Sequence, residues 1–137
     1  MIQARVNIFE TNSSSTHNCT IMSDKDYQAF INGDVYINKG WAASTSKYMD
    51  NDYVTREQII DIYENAKYEE DREYVEGLKL RVNNDDGSFD EYLYENDLTS
   101  QFVPYSYWGN DLETDETTFA TEHGDLIHVL CEYGYDG

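Results

Sequence analysis

The sequence predicts an α+β fold: a small, mostly antiparallel sheet formed by both chain ends, with two or so helices between them. Three observations carry this expectation. Short alternating segments rich in β-branched residues lie near both ends, and capped amphipathic patterns of helical period lie between them. The chain also holds 13 Tyr, 5 Phe and 2 Trp, enough aromatic surface for a core that acidic disordered tails lack. With 137 residues and one proline, Pro104, it reads as a single acidic α+β domain over residues 1–137.

Residues 2–9 alternate polar and apolar and read as an opening strand. Residues 10–18 form a polar loop dense in hydroxyls, and residues 19–22 read as a second short strand. Ser23 is placed to cap a helix over residues 24–32, with acids in its first turn and Gly33 as its stop. Residues 34–38 suit another short strand, and residues 39–51 show no regular period. Thr55 and Gln58 form a capping box before an amphipathic helix whose Ile59, Ile62, Tyr63 and Ala66 share a face. That helix is expected to run through the charged stretch to about residue 76 and stop near Gly77. Residues 78–82 alternate like a strand. A turn at residues 83–88 would return residues 89–94 as its hairpin partner. Residues 98–115 are aromatic-rich and irregular. At the end, residues 117–122 and 126–133 are expected to pair as a hairpin around Gly124 and Asp125; a short helix from Asp125 is the alternative.

Charge bounds the function. The 28 acidic and 9 basic residues give a formal net charge of -19 and a pI near 4.1. Such a chain is repelled by DNA, RNA and anionic membranes and attracted by basic protein surfaces. The field is uneven. Residues 50–97 hold 16 acids and 5 bases and residues 110–137 hold 8 acids and no base, whereas residues 1–49 balance 4 against 4. Glu57, Asp61, Glu64, Glu69, Glu70, Asp71, Glu73 and Glu76 are the expected partner-binding carboxylates. Spaced along a helix, they would stand where duplex phosphates stand in a Lys/Arg channel. Interleaved tyrosines favour binding, since Tyr is a common interface anchor. The plainer reading is a solvated face that keeps the protein soluble.

A His/Cys set is the second candidate. His17 and Cys19 lie early, and His123, His128 and Cys131 lie late. Converging end strands would assemble His17, Cys19, His128 and Cys131 as a tetrahedral zinc site joining the termini. On a strand His17 and Cys19 share a face but His128 and Cys131 do not, so His123, Glu10 or Asp125 could complete the shell instead. The plainer alternative is two buried cysteines and scattered surface histidines. The third candidate, the run from Asn12 to His17, sets a histidine beside hydroxyls. It reads as a turn-forming loop, since nucleophile and base rarely come from adjacent positions. No P-loop, GxGxxG or HExxH is present, and no catalytic residues are assigned. A metal-dependent nuclease is the least favoured reading.

The chain begins Met1-Ile2-Gln3-Ala4-Arg5, without a secretory leader's basic start and apolar run. A cytoplasmic location and no membrane partner are expected, with cysteines free or metal-bound rather than paired.

The segments RVNIFETNSSSTH and HGDLIHVLCEYGYDG resemble the opening and closing segments of small proteins from phages and Gram-positive bacteria. That resemblance implies a phage or mobile-element origin, and hence the cytoplasm of a bacterial host. In size and charge the chain is also similar to acidic phage proteins that include DNA mimics and anti-CRISPR proteins. The resemblance implies an acidic inhibitor that engages a basic nucleic-acid-handling protein, first among them a Cas9-type nuclease, and blocks DNA or guide loading. The alternative is a small metal-binding structural or regulatory phage protein without mimicry.

Overall fold

The computed structural model describes residues 15–40, 43–109 and 113–135, with side chains between residues 19 and 133. The α+β class holds: among the described residues the chain forms helices and two three-stranded antiparallel sheets. It divides into two compact units. One is built from residues 1–28 and 109–137, the other from residues 29–108.

In the first unit, β1 (Ser15–Ser23) and β5 (Glu113–Ala120) flank the central strand β6 (Leu126–Tyr135). β5 and β6 form the expected hairpin. Its tip is closed by Gly124 at φ 86° and by Thr121, whose Oγ1 accepts from the Asp125 amide at 3.1 Å. Glycine carries that positive φ without a Cβ clash. The register sets Cys19 opposite Cys131 and Ile21 opposite Val129. The strand foreseen over residues 19–22 thus extends back to Ser15, into the expected polar loop. The strand foreseen over residues 2–9 lies outside the described residues. Helix α1 (Asp24–Ile31) follows β1 directly, and Ser23 Oγ accepts from the Asp26 amide at 3.2 Å, as its cap position implies. The division between units falls inside this helix.

The second unit carries the larger core. A short sheet of β3 (Tyr53–Val54), β2 (Tyr36–Asn38) and β4 (Phe102–Val103) lies in the order β3-β2-β4. Helix α2 (Arg56–Glu64) opens on the expected capping box: Thr55 Oγ1 accepts from the Gln58 amide at 3.2 Å, and Gln58 Oε1 accepts from the Thr55 amide at 3.0 Å. Tyr36, Val54, Ile59, Ile62, Tyr63, Leu78, Phe89, Leu93 and Phe102 are fully buried in one cluster. Its aromatic rings meet edge to face, as Tyr63 does with Phe102 at 5.6 Å and Tyr36 with Phe89 at 5.7 Å.

Three expectations need correction here. The helix of residues 55–76 is broken at Asn65 into α2, α3 (Glu69–Arg72) and α4 (Tyr74–Arg81). Residues 78–82 are no strand, because α4 runs through Gly77 to Arg81. Residues 89–94 belong to α5 (Ser88–Glu95), which starts after Gly87 at φ 81° rather than returning as a hairpin. The alternation of Leu78, Leu80 and Val82 fits a strand. However, Val75, Leu78 and Val82 also sit at helical spacing, and burial against the aromatic cluster selects the helix. Leu78 is fully buried while Leu80 is 75% exposed.

A strand would place Leu78 and Leu80 on one face; the helix separates them. Leu78→Ala should therefore destabilise by about 2–5 kcal/mol, and Leu80→Ala by no more than about 0.5 kcal/mol. Urea unfolding of the two variants checks this, and comparable losses would contradict the helix.

Candidate functional site

Three sites come from the structure, the first on the strands of the terminal unit. Cross-strand partners share a face, so the register brings the cysteines together, and they form the disulfide Cys19–Cys131. Cys131 is buried beside Val129, and Cys19 is exposed. Strand alternation turns His128, three residues before Cys131, to the other face. There it is 7% exposed. Nε2 donates to Asp24 Oδ1 at 2.8 Å, since a carboxylate can only accept. Nδ1 lies within hydrogen-bond distance of Thr118 Oγ1, at 3.1 Å. The Tyr27 ring stacks on the imidazole at 3.9 Å, and Tyr27 Oη donates to Glu116 at 2.8 Å. The His128 bond holds the Asp24 carboxyl below its ordinary value, against a smaller opposing effect of burial.

Of the four residues foreseen as zinc ligands, Cys19, His128 and Cys131 are therefore not gathered at one point. The two sulfurs are bonded to each other and His128 is engaged on the opposite face, while the His17 side chain lies outside the described residues. His123 is exposed near the hairpin tip. Among the described residues, no group of three or more His, Cys, Asp or Glu is placed to hold a metal ion. The expectation of free or metal-bound cysteines gives way to a disulfide because the β1–β6 register sets the two residues directly opposite. No helix among the described residues is long and apolar enough to cross a membrane.

The second site is the acidic surface of the central unit. The eight carboxylates foreseen for partner binding fall on α2, α3, α4 and the residue between α3 and α4 rather than on one continuous helix. Glu57, Glu64, Glu69, Glu70, Glu73 and Glu76 are exposed, and Asp61 and Asp71 are half-buried. Asp61 accepts from Ser46 Oγ at 2.6 Å, which gives it a structural task. Lys79 Nζ lies 3.8 Å from Glu64. The arginines are committed to the main chain. Arg72 donates to the Ala66 carbonyl at 2.7 Å and Arg81 to that of Gly77 at 2.8 Å; the Arg81 guanidinium also lies 4.5 Å from the Tyr92 ring centroid. Arg56 donates to the carbonyls of Val82 and Asn84 at 3.1 and 2.8 Å. The guanidinium groups of Arg56, Arg72 and Arg81 thus close main-chain acceptors, while Lys67, Lys79 and six of the eight carboxylates are exposed.

The third site was not foreseen. Arg56 Nε donates to Tyr36 Oη at 3.0 Å, Tyr36 donates to Asp90 Oδ1, and Ser106 Oγ donates to Asp90 Oδ2 at 2.7 Å. Burial, then the Asp90 hydrogen bond and charge, push the Tyr36 phenol well above its ordinary value, so it keeps the proton it donates. Asp90 is 8% exposed and ends this chain of donors. A cleft of about 260 Å³ opens beside it, lined by Arg56, Asp85, Asp90, Tyr105 and Ser106 among others. The sequence carries no signal for this network, because its four members are scattered over residues 36–106 and their convergence is tertiary.

No family model matches the chain, and neither the curated proteins nor the solved structures provide a match.

The disulfide closes a sequence separation of 112 residues. Loop-closure entropy for so long a loop is about 4–5 kcal/mol, and measured effects run about 2–5 kcal/mol. Cys131→Ser should lower stability by that order, and denatured, unreduced protein should show no free thiol until a dithiol reductant is added. Zinc retained by unreduced protein together with two titratable thiols would contradict the disulfide.

Proposed function

We propose that this protein is an acidic binding protein that occupies a positively charged nucleic-acid channel of a partner protein and acts by blocking it, without chemistry of its own. The supporting observation is the opposed placement of charge in the central unit. Glu57, Glu69, Glu70, Glu73 and Glu76 are exposed to solvent, while Arg56, Arg72 and Arg81 donate to main-chain carbonyls. A solubilising shell is ordinarily a mixture of both signs. A surface on which carboxylates outnumber cations, and whose guanidinium groups are engaged by carbonyls, presents a predominantly negative field of the kind that steers a basic partner. Glu57, Asp61, Glu64 and Glu76 sit on α2 and α4, whose buried faces belong to the aromatic core, so those charges are held rather than tethered.

The partner class is a nucleic-acid-handling protein, because such proteins carry extended Lys/Arg channels. An RNA-guided nuclease of the Cas9 type, which holds its heteroduplex in a basic channel, is the first to test. A zinc ion, if the protein takes one, would belong to the reduced terminal unit and not to this surface.

Binding to such a nuclease should weaken steeply as salt rises, because the Debye length shrinks from about 30 Å at 0.01 M to about 8 Å at 0.15 M. Changing Glu69, Glu70, Glu73 and Glu76 together to Gln should slow association more than it speeds dissociation. Added DNA or guide RNA should compete. Surface plasmon resonance over a salt series measures all three. Binding indifferent to salt, or undiminished by saturating nucleic acid, would defeat the channel-blocking reading.

A further inference from the structure

The outer edge of β5 is the least covered element of the described chain. All eight residues of Glu113–Ala120 are exposed, and among the described residues no strand lies beyond it, since the sheet order is β1-β6-β5. At about 3.3 Å per residue it offers some 26 Å of strand edge. Its pairing with β6 is unbroken from Glu113 opposite Tyr133 to Ala120 opposite Leu126, so no bulge twists the edge away. It contains no proline and no lysine. Of the devices by which proteins protect an edge, only charge is used here, and the charge is negative throughout.

The side chains divide by alternation. Thr114, Glu116, Thr118 and Ala120 share the face on which Thr118 meets His128 and Glu116 meets Tyr27. Glu113, Asp115, Thr117 and Phe119 share the other face, with Tyr133, Cys131, Val129 and Ile127 of β6 beside them. Phe119 is 52% exposed. Glu113 lies directly opposite Tyr133 and Asp115 one pair along the same face, and with burial their charges hold the Tyr133 phenol above its ordinary value.

A second copy of this edge is a poor occupant, because an in-register parallel pair opposes like charges directly and an antiparallel pair still gathers the acids of both edges without a base. Nucleic acid is repelled outright. A basic extended segment fits in backbone, charge and apolar anchor. We propose that the outer edge of β5 is a strand-addition site for an extended basic segment of a partner protein, with Lys or Arg opposite Glu113 and Asp115 and an apolar side chain opposite Phe119. Main-chain hydrogen bonds supply affinity and the alternate side chains supply selectivity, as in other strand-addition complexes. This surface lies in the terminal unit and does not rest on the channel-blocking reading of the central one.

The test uses the full-length protein, labelled with ¹⁵N, and the peptide Lys-Thr-Lys-Thr-Thr-Thr-Val with its reverse, so that both strand directions are sampled. The control is Lys-Gly-Lys-Gly-Gly-Gly-Val, which keeps charge and anchor but disfavours an extended strand. The threonine peptide should bind more tightly than the control and slow hydrogen exchange at amides of residues 113–120. Glu113→Gln with Asp115→Asn, both fully solvent-facing substitutions, should weaken binding about 3- to 10-fold by removing two cross-strand charge pairs. Changing Glu69, Glu70, Glu73 and Glu76 to Gln should leave it unchanged. Equal binding of the glycine control, protection away from β5, or equal loss in the helical variant would show a response to net charge alone and overturn the proposal. Peptide-free dimerisation through β5 would overturn it in favour of a second copy. Loss of nuclease binding in the helical variant, with peptide binding intact, would leave both readings standing as separate surfaces.

Discussion

Arg56 is the cation on which the central unit is organised. It stands at the first position of α2, immediately after the Thr55 cap. From there it reaches the carbonyls of Val82 and Asn84 past the end of α4, stacks over the Phe89 ring of α5 at 5.0 Å, and donates to Tyr36 of β2. One guanidinium thus ties together three helices and a strand. Its planar fork of donors suits that task, which an ammonium of similar reach would serve poorly. Through Tyr36 it also supports the buried Asp90 carboxylate, which would be costly without such partners. Arg72 and Arg81 repeat the theme locally, each closing a carbonyl. The carboxylates of the same helices are left outward as a consequence, and the functional reading follows from that division of labour.

The terminal unit depends on a different constraint, the register of β6 against its two neighbours. That register places Cys131 opposite Cys19 on one face and His128 opposite Thr118 and Met22 on the other. One face is closed by a covalent link and the other by the Asp24–His128–Thr118 bonds with Tyr27 stacked across them. A shift of one residue would exchange the faces and undo both sets. β5 joins this sheet only through β6, which is why its outer edge remains open.

What could be read from the sequence was local. The Ser23 and Thr55 caps depend on residues within one turn, and the hairpin around Gly124 depends on a turn flanked by two alternating segments. Those elements formed where expected. The convergence of Cys19 and Cys131 was legible as proximity, but the chemistry was not, because directly opposed thiols favour each other over a third ligand. Residues 78–82 satisfied strand and helix periods alike, and only burial of Leu78 and Val75 in the aromatic cluster distinguishes them. The break at Asn65 had no Gly or Pro to announce it. The carboxylates expected on one helix are consequently divided among three helices and the residue between the last two. The Arg56–Tyr36–Asp90–Ser106 chain was invisible because each bond spans from 16 to 54 residues.

The central claim is that, the Glu64–Lys79 pair aside, the outward carboxylates of the central unit outnumber the cations that could compensate them. It can be tested without any partner, by the thermal unfolding of the isolated protein as sodium chloride is raised. Screening shortens from about 30 Å at 0.01 M to about 3 Å at 1 M, so repulsion among uncompensated surface charges fades over that range while ion pairs weaken with it. The account predicts a melting temperature that rises steadily with salt. A melting temperature that is flat or falls would show that the acids are balanced by attractive pairs, and would contradict the account.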